Sequence, residues 1–408
     1  MSRVETGSGR WAALLRAPGV RAFVVASLLA RLPLSMLQLG VVLLVRDEGH
    51  SYAVAGATVA CYTIALAIAQ PMLGRLVDRV GQRRVLIPLA LAFPTAVGAV
   101  VVGAVAGIPA GLLLPLAVAM GATLPPIEPC VRAAWPSLAP TPSLRATAYA
   151  MEATLRELVF IGGPLVVALV ATVVSPAAAM LLTAAIGLGG TLAFVSTRAV
   201  RGWHPEPHEG RRSRLGALIA PGVRTVIGAS VAMGIAFGTI AVSMPAFGED
   251  HGSRSDGGLC MATFAAGSMI GGLIAGALPH AVWPARRYVL SLALFAAGLV
   301  PMIIAWSIPA MLVATLIGGL AIAPTFATAY GLVDDLAPPS TVTEAFAWMS
   351  TSLTGGYGLG TAVAGLAITG GGVTLALGVA LAAAAVAAAV AASRRATLGT
   401  RSPQSAVT

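Results

Sequence analysis

The chain has 408 residues, 57% of them hydrophobic and only 10% charged, with a mean hydropathy of +0.89. A soluble chain would carry about 25% charged residues, so the composition excludes a water-solvated globular protein and describes one solvated by lipid. The formal charge of +10 does not indicate nucleic acid, because all 25 basic residues are arginines and most lie in short loops between apolar runs.

Residues 11–16, Trp-Ala-Ala-Leu-Leu-Arg, read as a short interfacial helix. Twelve spanning helices are predicted, at 21–45, 52–76, 84–106, 108–131, 146–173, 176–197, 221–246, 257–279, 286–306, 308–331, 343–368 and 371–393. Each is long enough to cross a hydrocarbon layer of about 30 Å. The first carries Arg31 and Pro33 and shows no convincing cleavage site, so it reads as a span and not as a signal peptide. Arg3, Arg10, Arg16 and Arg21 share one side with Arg75, Arg79, Arg83, Arg84, Arg132, Arg145 and most later arginines, while Arg46 and Arg254 lie opposite. The positive-inside rule then makes both termini cytoplasmic. The polar stretch 198–217 reads as a cytoplasmic linker between an N-terminal half at 1–197 and a C-terminal half at 218–395, with a disordered tail at 396–408.

An internal repeat supports the division. Residues 55–76 align without gaps to 257–278, setting Gly56, Gly74 and Leu76 against Gly258, Gly276 and Leu278. Arg83-Arg84 is echoed by Arg286-Arg287, Leu138-Ala139-Pro140 by Leu336-Ala337-Pro338, and Ala148-Tyr149-Ala150 by Ala345-Phe346-Ala347. The offset stays near 200 residues, which suits two parallel halves related by an axis along the membrane normal.

Between the second and third apolar runs lies a hydrophilic turn with the pattern Gly74-x-Leu76-x-Asp78-Arg79-x-Gly81-x-Arg83-Arg84. A basic loop alone would explain the arginines but not Asp78 and the two glycines at these positions. The glycines permit a tight turn. Asp78 can accept hydrogen bonds from Arg79 or Arg83, or sit at a helix N-terminus in the other half. The pattern resembles the loop between the second and third helices of the major facilitator superfamily of secondary transporters. That resemblance implies an all-α polytopic membrane protein with twelve transmembrane helices in two six-helix halves and alternating access. It also implies that the gating loop (Gly74, Asp78, Arg79, Gly81, Arg83, Arg84) latches the cytoplasmic side, Asp78 and Arg79 foremost. The C-terminal counterpart has His280, Trp283 and Pro284 and lacks the acid, so any latch there is weaker.

Ionisable residues at mid-membrane are costly, and each is a candidate for function. Arg31 lies near the middle of the first span, with Ser35 and Gln38 on the same helical face. The fifth span carries Glu152, Arg156 and Glu157. Glu152 and Arg156 have the spacing to pair within the helix. Glu157, at nearly the depth of Arg31, is predicted to face it across the cavity or to pair with it. Glu128 lies in Pro125-Pro126-Ile127-Glu128-Pro129, whose prolines free backbone carbonyls and bend the helix. These charges read either as a network fixing helix register or as coupling groups, with Glu157 the first candidate to exchange a proton. The aligned C-terminal positions Met349, Leu353 and Thr354 are uncharged, which places coupling in the N-terminal half. Phe237, Tyr330 and Trp348 are candidates for the cavity wall or for plain packing. Gly162-Gly163-Pro164 resembles the core of the antiporter motif of exporters in this superfamily. Val159, Val167 and Ala168 replace its other glycines, and a small-residue helix contact is the alternative.

The residues point away from an enzyme: no Ser/His/Asp or metal-ligand constellation is present, and no cofactor or metal is expected. An ATP-driven pump is excluded because no phosphate-binding loop motif and no lysine exist. A receptor or scaffold would need a sensory domain or long polar loop. The expected function is proton-coupled antiport, the efflux of small organic molecules, with uptake of a sugar or organic acid by symport as the alternative. The expected partners are the lipid bilayer, a small-molecule substrate and protons, with no nucleic acid. The expected form is a monomer in a bacterial inner (plasma) membrane.

Overall fold

The computed structural model describes residue 11 and residues 14–50, 52–205, 216–251, 254–277 and 284–399. The expectations for linker residues 206–215, for His280 and Trp283 and for residues 400–408 lie outside the described residues.

The described chain is built from α-helices: α1 (Val20–Asp47), α2 (Tyr52–Val80), α3 (Gln82–Val105), α4 (Ala110–Thr123), α5 (Ile127–Leu138), α6 (Pro142–Val173) and α7 (Pro176–Val195). After the short α8 (Arg198–Arg201) come α9 (Pro221–His251), α10 (Arg254–Ala277), α11 (Pro284–Ile303), α12 (Ile308–Gly319), α13 (Ile322–Leu336) and α14 (Val342–Ser393). Local chemistry sets several starts. Ser175 and Ser307 accept hydrogen bonds from the amides of Ala178 and Ala310, and a proline follows each cap in the first turn. Thr141 does the same for α6, accepting from Leu144.

Two spans are made of broken pairs and one helix holds two spans. Pro125 and Pro126 interrupt the fourth span between α4 and α5, leaving Leu124 extended. The carbonyl of Leu124 accepts from Gln70 Nε2 of α2 at 3.2 Å, so a freed backbone group finds a side-chain partner. α12 and α13 form the tenth span, with a break at Leu320–Ala321. α14 is 52 residues long and loses helical geometry at Gly371 and Gly372, the latter at φ 75°, which makes it the eleventh and twelfth spans. The described residues therefore cross a membrane twelve times, six in each half, as the resemblance implies.

The hydrophilic turn is shorter than expected. α2 continues to Val80 and α3 starts at Gln82, so the segment from Gly74 to Arg84 is helical apart from Gly81. A left-handed φ of 100° at Gly81 reverses the chain within one residue. The first residues expected in the tail are ordered: Arg395–Leu398 form a 3-10 turn with Leu398 buried, and Thr397 bonds Thr225 of α9 at 2.8 Å.

Helices contact closely where side chains are absent. Gly234 and Gly238 of α9 face Gly356 and Gly360 of α14, and a Cβ on any of them would strike backbone of the opposite helix. Gly355 and Gly358, of the same series, face open space. The outer faces are apolar in the manner of lipid contact. Ile64, Ile68 and Met72 recur at one-turn spacing on α2 and are all more than half exposed. Each half starts on the same pentapeptide, Ala17-Pro18-Gly19-Val20-Arg21 and Ala220-Pro221-Gly222-Val223-Arg224, an echo the sequence reading missed.

Candidate functional site

Four charged residues of the N-terminal half, Arg31, Glu128, Arg132 and Glu152, meet in mid-span. Arg31 of α1 donates from Nη2 to Glu152 Oε2 of α6 at 2.8 Å and lies 2.7 Å from Oε1. Both side chains are 1% exposed. Arg132 of α5 brings its Nε to 3.5 Å from Glu152 Oε1. Its Nη2 donates to Glu128 Oε2 and to the Tyr330 hydroxyl of α13, and its Nη1 to Ser350 Oγ of α14, each at 3.1 Å. Arg132 thus joins the two halves in mid-span. Buried ion pairs of this kind are costly to break from one side, because the remaining charge is stranded.

This arrangement corrects three expectations. Arg132, expected on the cytoplasmic side past the end of the fourth span, is buried in the cavity wall, because the helix resumes at Ile127 and runs on to Leu138. Arg31 pairs with Glu152, not with Glu157, and Glu152 does not pair with Arg156. The cause is helix register. α6 begins at Pro142, one turn earlier than the predicted 146, which brings Glu152 level with Arg31 and carries Glu157 past it. Glu157 is half-buried and accepts a hydrogen bond from Ser268 Oγ of α10 at 3.1 Å, a contact with the other half. Arg156 lies with its guanidinium carbon 5.1 Å from the ring centre of Phe160 and 4.5 Å from that of Phe326. Among the described residues no carboxylate is within ion-pair reach of it.

A cavity of about 810 Å³, counted out to open solvent, lies between the halves. Arg31, Glu128, Arg132 and Arg156 line it from the N-terminal half, and Phe326, Tyr330, Met349 and Leu353 from the C-terminal half. Glu152 and Glu157 stand behind the lining. Gln38 is exposed and does not line it either, although it shares the helical face of Arg31. Of the three aromatic candidates only Tyr330 reaches the cavity. Phe237 packs among Phe264, Phe295 and Phe326 with ring centres 5.3 to 6.4 Å away, and Trp348 is half-buried elsewhere. The sequence reading missed Phe160 and Phe326. A signal for Phe326 existed: it lies one turn before Tyr330, and the repeat sets it against Glu128.

Gly163 of the Gly-Gly-Pro segment packs so tightly on α1 that a Cβ there would overlap Ser35 Oγ. Ser35 in turn donates to the Val159 carbonyl at 2.8 Å, in the turn before Pro164. Gly162 faces open space. The segment is a close contact between α1 and α6.

One end of the molecule is tied across the halves. Asp78 is 3% exposed and its two carboxylate oxygens accept from the backbone amides of Thr343 and Glu344, at 3.1 and 2.8 Å. A carboxylate there meets the first-turn N–H groups of α14, which have no partner within the helix. Arg75 adds an ion pair to Glu344 at 2.6 Å, and Arg145 of α6 pairs with Asp334 of α13 at 2.9 Å. A Cβ on Gly74 would lie 3.0 Å from the Ala347 Cβ, so the two helices touch at this point. Arg79, Arg83 and Arg84 are exposed and form no ion pair among the described residues. The basic partner at this end is Arg75, which the pattern did not single out. The described residues hold no group of three or more His, Cys, Asp or Glu able to bind a metal, and the three cysteines are free.

The chain matches the Major Facilitator Superfamily over residues 23–224 and 226–406. No curated protein matches it in sequence. Its fold is similar to that of the human organic anion transporter MFSD10 (TETRAN), with 14% identity, a TM-score of 0.68 and coverage of 94% of this chain and 99% of that one. It is similar to a bacterial homologue of the iron transporter ferroportin in its outward-facing state (14% identity, TM-score 0.71, 91% and 98% covered). It is also similar to the E. coli fucose:proton symporter FucP, with 15% identity, a TM-score of 0.69 and coverage of 92% and 98%. Twelve crossings, a cavity between two tied halves and a sequence match along nearly the whole length agree: the chain is a multi-pass secondary transporter and belongs to the major facilitator superfamily.

Proposed function

We propose that the protein exports small organic molecules in exchange for protons, with Glu157 as the group that takes up and releases the proton. The observation that carries this reading is the Glu157–Ser268 hydrogen bond, which joins α6 to α10 beside the cavity. Of the mid-span carboxylates Glu128, Glu152 and Glu157, only Glu157 has no arginine within ion-pair reach among the described residues. Rocking of the halves would break its bond to Ser268 and change the solvent it meets, so protonation and access are linked. Glu128 and Glu152, held by Arg31 and Arg132, serve as the fixed framework of the site. The arginine-rich end faces the cytoplasm by the positive-inside rule, with both termini there. In that orientation this conformer is closed to the cytoplasm by Asp78, Arg75 and Arg145. The close α1–α6 contact at Gly163 and Pro164, with its likeness to the exporters' motif, supports efflux.

The test uses purified protein in liposomes that hold a pH-sensitive dye and an imposed proton gradient, with a panel of dyes, antibiotics and sugars. Compound-dependent proton leakage opposite in direction to compound flow, lost in Glu157→Gln, is the expected result. Proton movement in the same direction as the compound would replace export by uptake. Leakage that survives Glu157→Gln would remove Glu157 from the coupling.

A further inference from the structure

We infer that the cavity takes an amphipathic organic anion, with its acid group on Arg156 and its apolar body on the wall of the opposite half. The inference rests on the transport reading above, since it names the class of cargo for that same cavity.

Charge pairing is the first argument. Three arginines line the cavity, Arg31, Arg132 and Arg156. The two carboxylates at hand, Glu128 and Glu152, are taken up by Arg132 and Arg31 at 3.1 and 2.7 Å. Glu157, the remaining acid, bonds Ser268 and stands outside the lining. Arg156 meets the charges of Glu128 and Glu157 only at longer range: among the described residues no carboxylate lies within ion-pair distance of it, a costly state in mid-span. A bound anion would offset that cost.

Geometry is the second argument. The Arg156 guanidinium carbon lies over the rings of Phe160 and Phe326, 5.1 and 4.5 Å from their centres. A guanidinium held over ring faces by cation–π attraction spends no N–H donor on a conventional hydrogen bond, and those donors form the fork that matches a carboxylate, sulfonate or phosphate. No hydrogen bond to a protein acceptor occupies those donors among the described residues. The same attraction holds the fork in place, which lowers the entropy lost when a ligand binds.

The opposite wall is the third argument. Phe326, Tyr330, Met349 and Leu353 present aromatic and flexible apolar surface to the cavity. A cargo with one acid group and an aromatic or aliphatic body satisfies both walls at once, which a sugar or a cation does not.

The experiment measures binding without any gradient. Purified protein is titrated with naphthalenesulfonate and naphthoate, with neutral naphthamide and with cationic naphthylmethylammonium, and the melting temperature is followed up to about 1 mM ligand. The two anions are expected to raise it while the neutral and cationic analogues leave it unchanged. Arg156→Gln should weaken anion affinity about 10- to 100-fold, and Arg156→Lys should keep part of it. Glu128→Gln, which removes a negative charge from the lining, should tighten anion binding. Stabilisation by the cation or the neutral amide equal to that by the anions would overturn the inference. So would the absence of any anion response, or unchanged anion affinity in Arg156→Gln. Normal anion binding by a wild-type protein that shows no proton coupling overturns only the proton reading. Intact proton coupling with a neutral or cationic preference overturns only this one.

Discussion

The two halves share a backbone plan and differ in what they place at matched positions. The repeat sets Arg31 against Gly234, Glu128 against Phe326, Arg132 against Tyr330, Glu152 against Met349 and Arg156 against Leu353. Where the N-terminal half has charge, the C-terminal half has aromatic or aliphatic surface or no side chain. At Gly234 the difference is structural: α9 approaches Leu353 of α14 so closely that no side chain fits. At the other four matched pairs all four C-terminal residues line the cavity, as do their N-terminal partners except Glu152, which stands behind Arg31 and Arg132. Duplication of one six-helix unit thus leaves the fold symmetric and the chemistry one-sided. One half holds the ionic framework and the other sets an aromatic and aliphatic surface against it.

The largest effects should come from stranding a charge in that framework. Arg31→Ala is expected to destabilise the protein by about 3–5 kcal/mol, because Glu152 keeps only its longer contact to Arg132. Pairing Arg31→Met with Glu152→Leu should recover most of the loss, as thermal unfolding of the three variants would show. If the double variant is no better than Arg31→Ala, the pair is not the unit described. At the matched positions of the other half, Met349→Leu should cost less than about 1.5 kcal/mol, since no charge is involved.

The tied end gives the next effect. Asp78→Ala leaves two amides of α14 without acceptors, at about 1–3 kcal/mol for each. The equilibrium should shift toward opening at this end. A cysteine at Met349 should then react faster with a membrane-impermeant maleimide added from that side, and an unchanged rate would contradict the tie. Arg79→Ala should be the mildest, within about 0.5 kcal/mol, because its side chain is exposed and makes no ion pair among the described residues.

Spans were legible because hydropathy and length alone define them. Each expected span has its counterpart, and the break expected at 369–370 stands two residues later, at Gly371 and Gly372. Partners at the site were less legible. Depth along a helix was counted from an expected start, and the one-turn error at α6 exchanged Glu152 for Glu157 as the neighbour of Arg31. Spacing on α1 sets Ser35 and Gln38 on the face of Arg31, yet neither lines the cavity and Leu34 does. Arg75 escaped notice because the pattern around Asp78 drew attention to Arg79, and only the fold shows which arginine faces Glu344. The alignment at Ala17–Arg21 and Ala220–Arg224 was present in the sequence and would have matched Arg31 with Gly234.

The central claim is that transport requires the tied end to open as one half moves against the other. A cysteine pair at Gly74 and Ala347, in a background without Cys61, Cys130 and Cys260, tests it directly. A Cβ placed on Gly74 would lie 3.0 Å from the Ala347 Cβ, so a shift of about 0.5 Å between the helices brings the pair to the span of a disulfide, about 3.5–4.5 Å. Oxidation should abolish transport in liposomes and reduction should restore it. Undiminished transport by fully cross-linked protein would contradict the account.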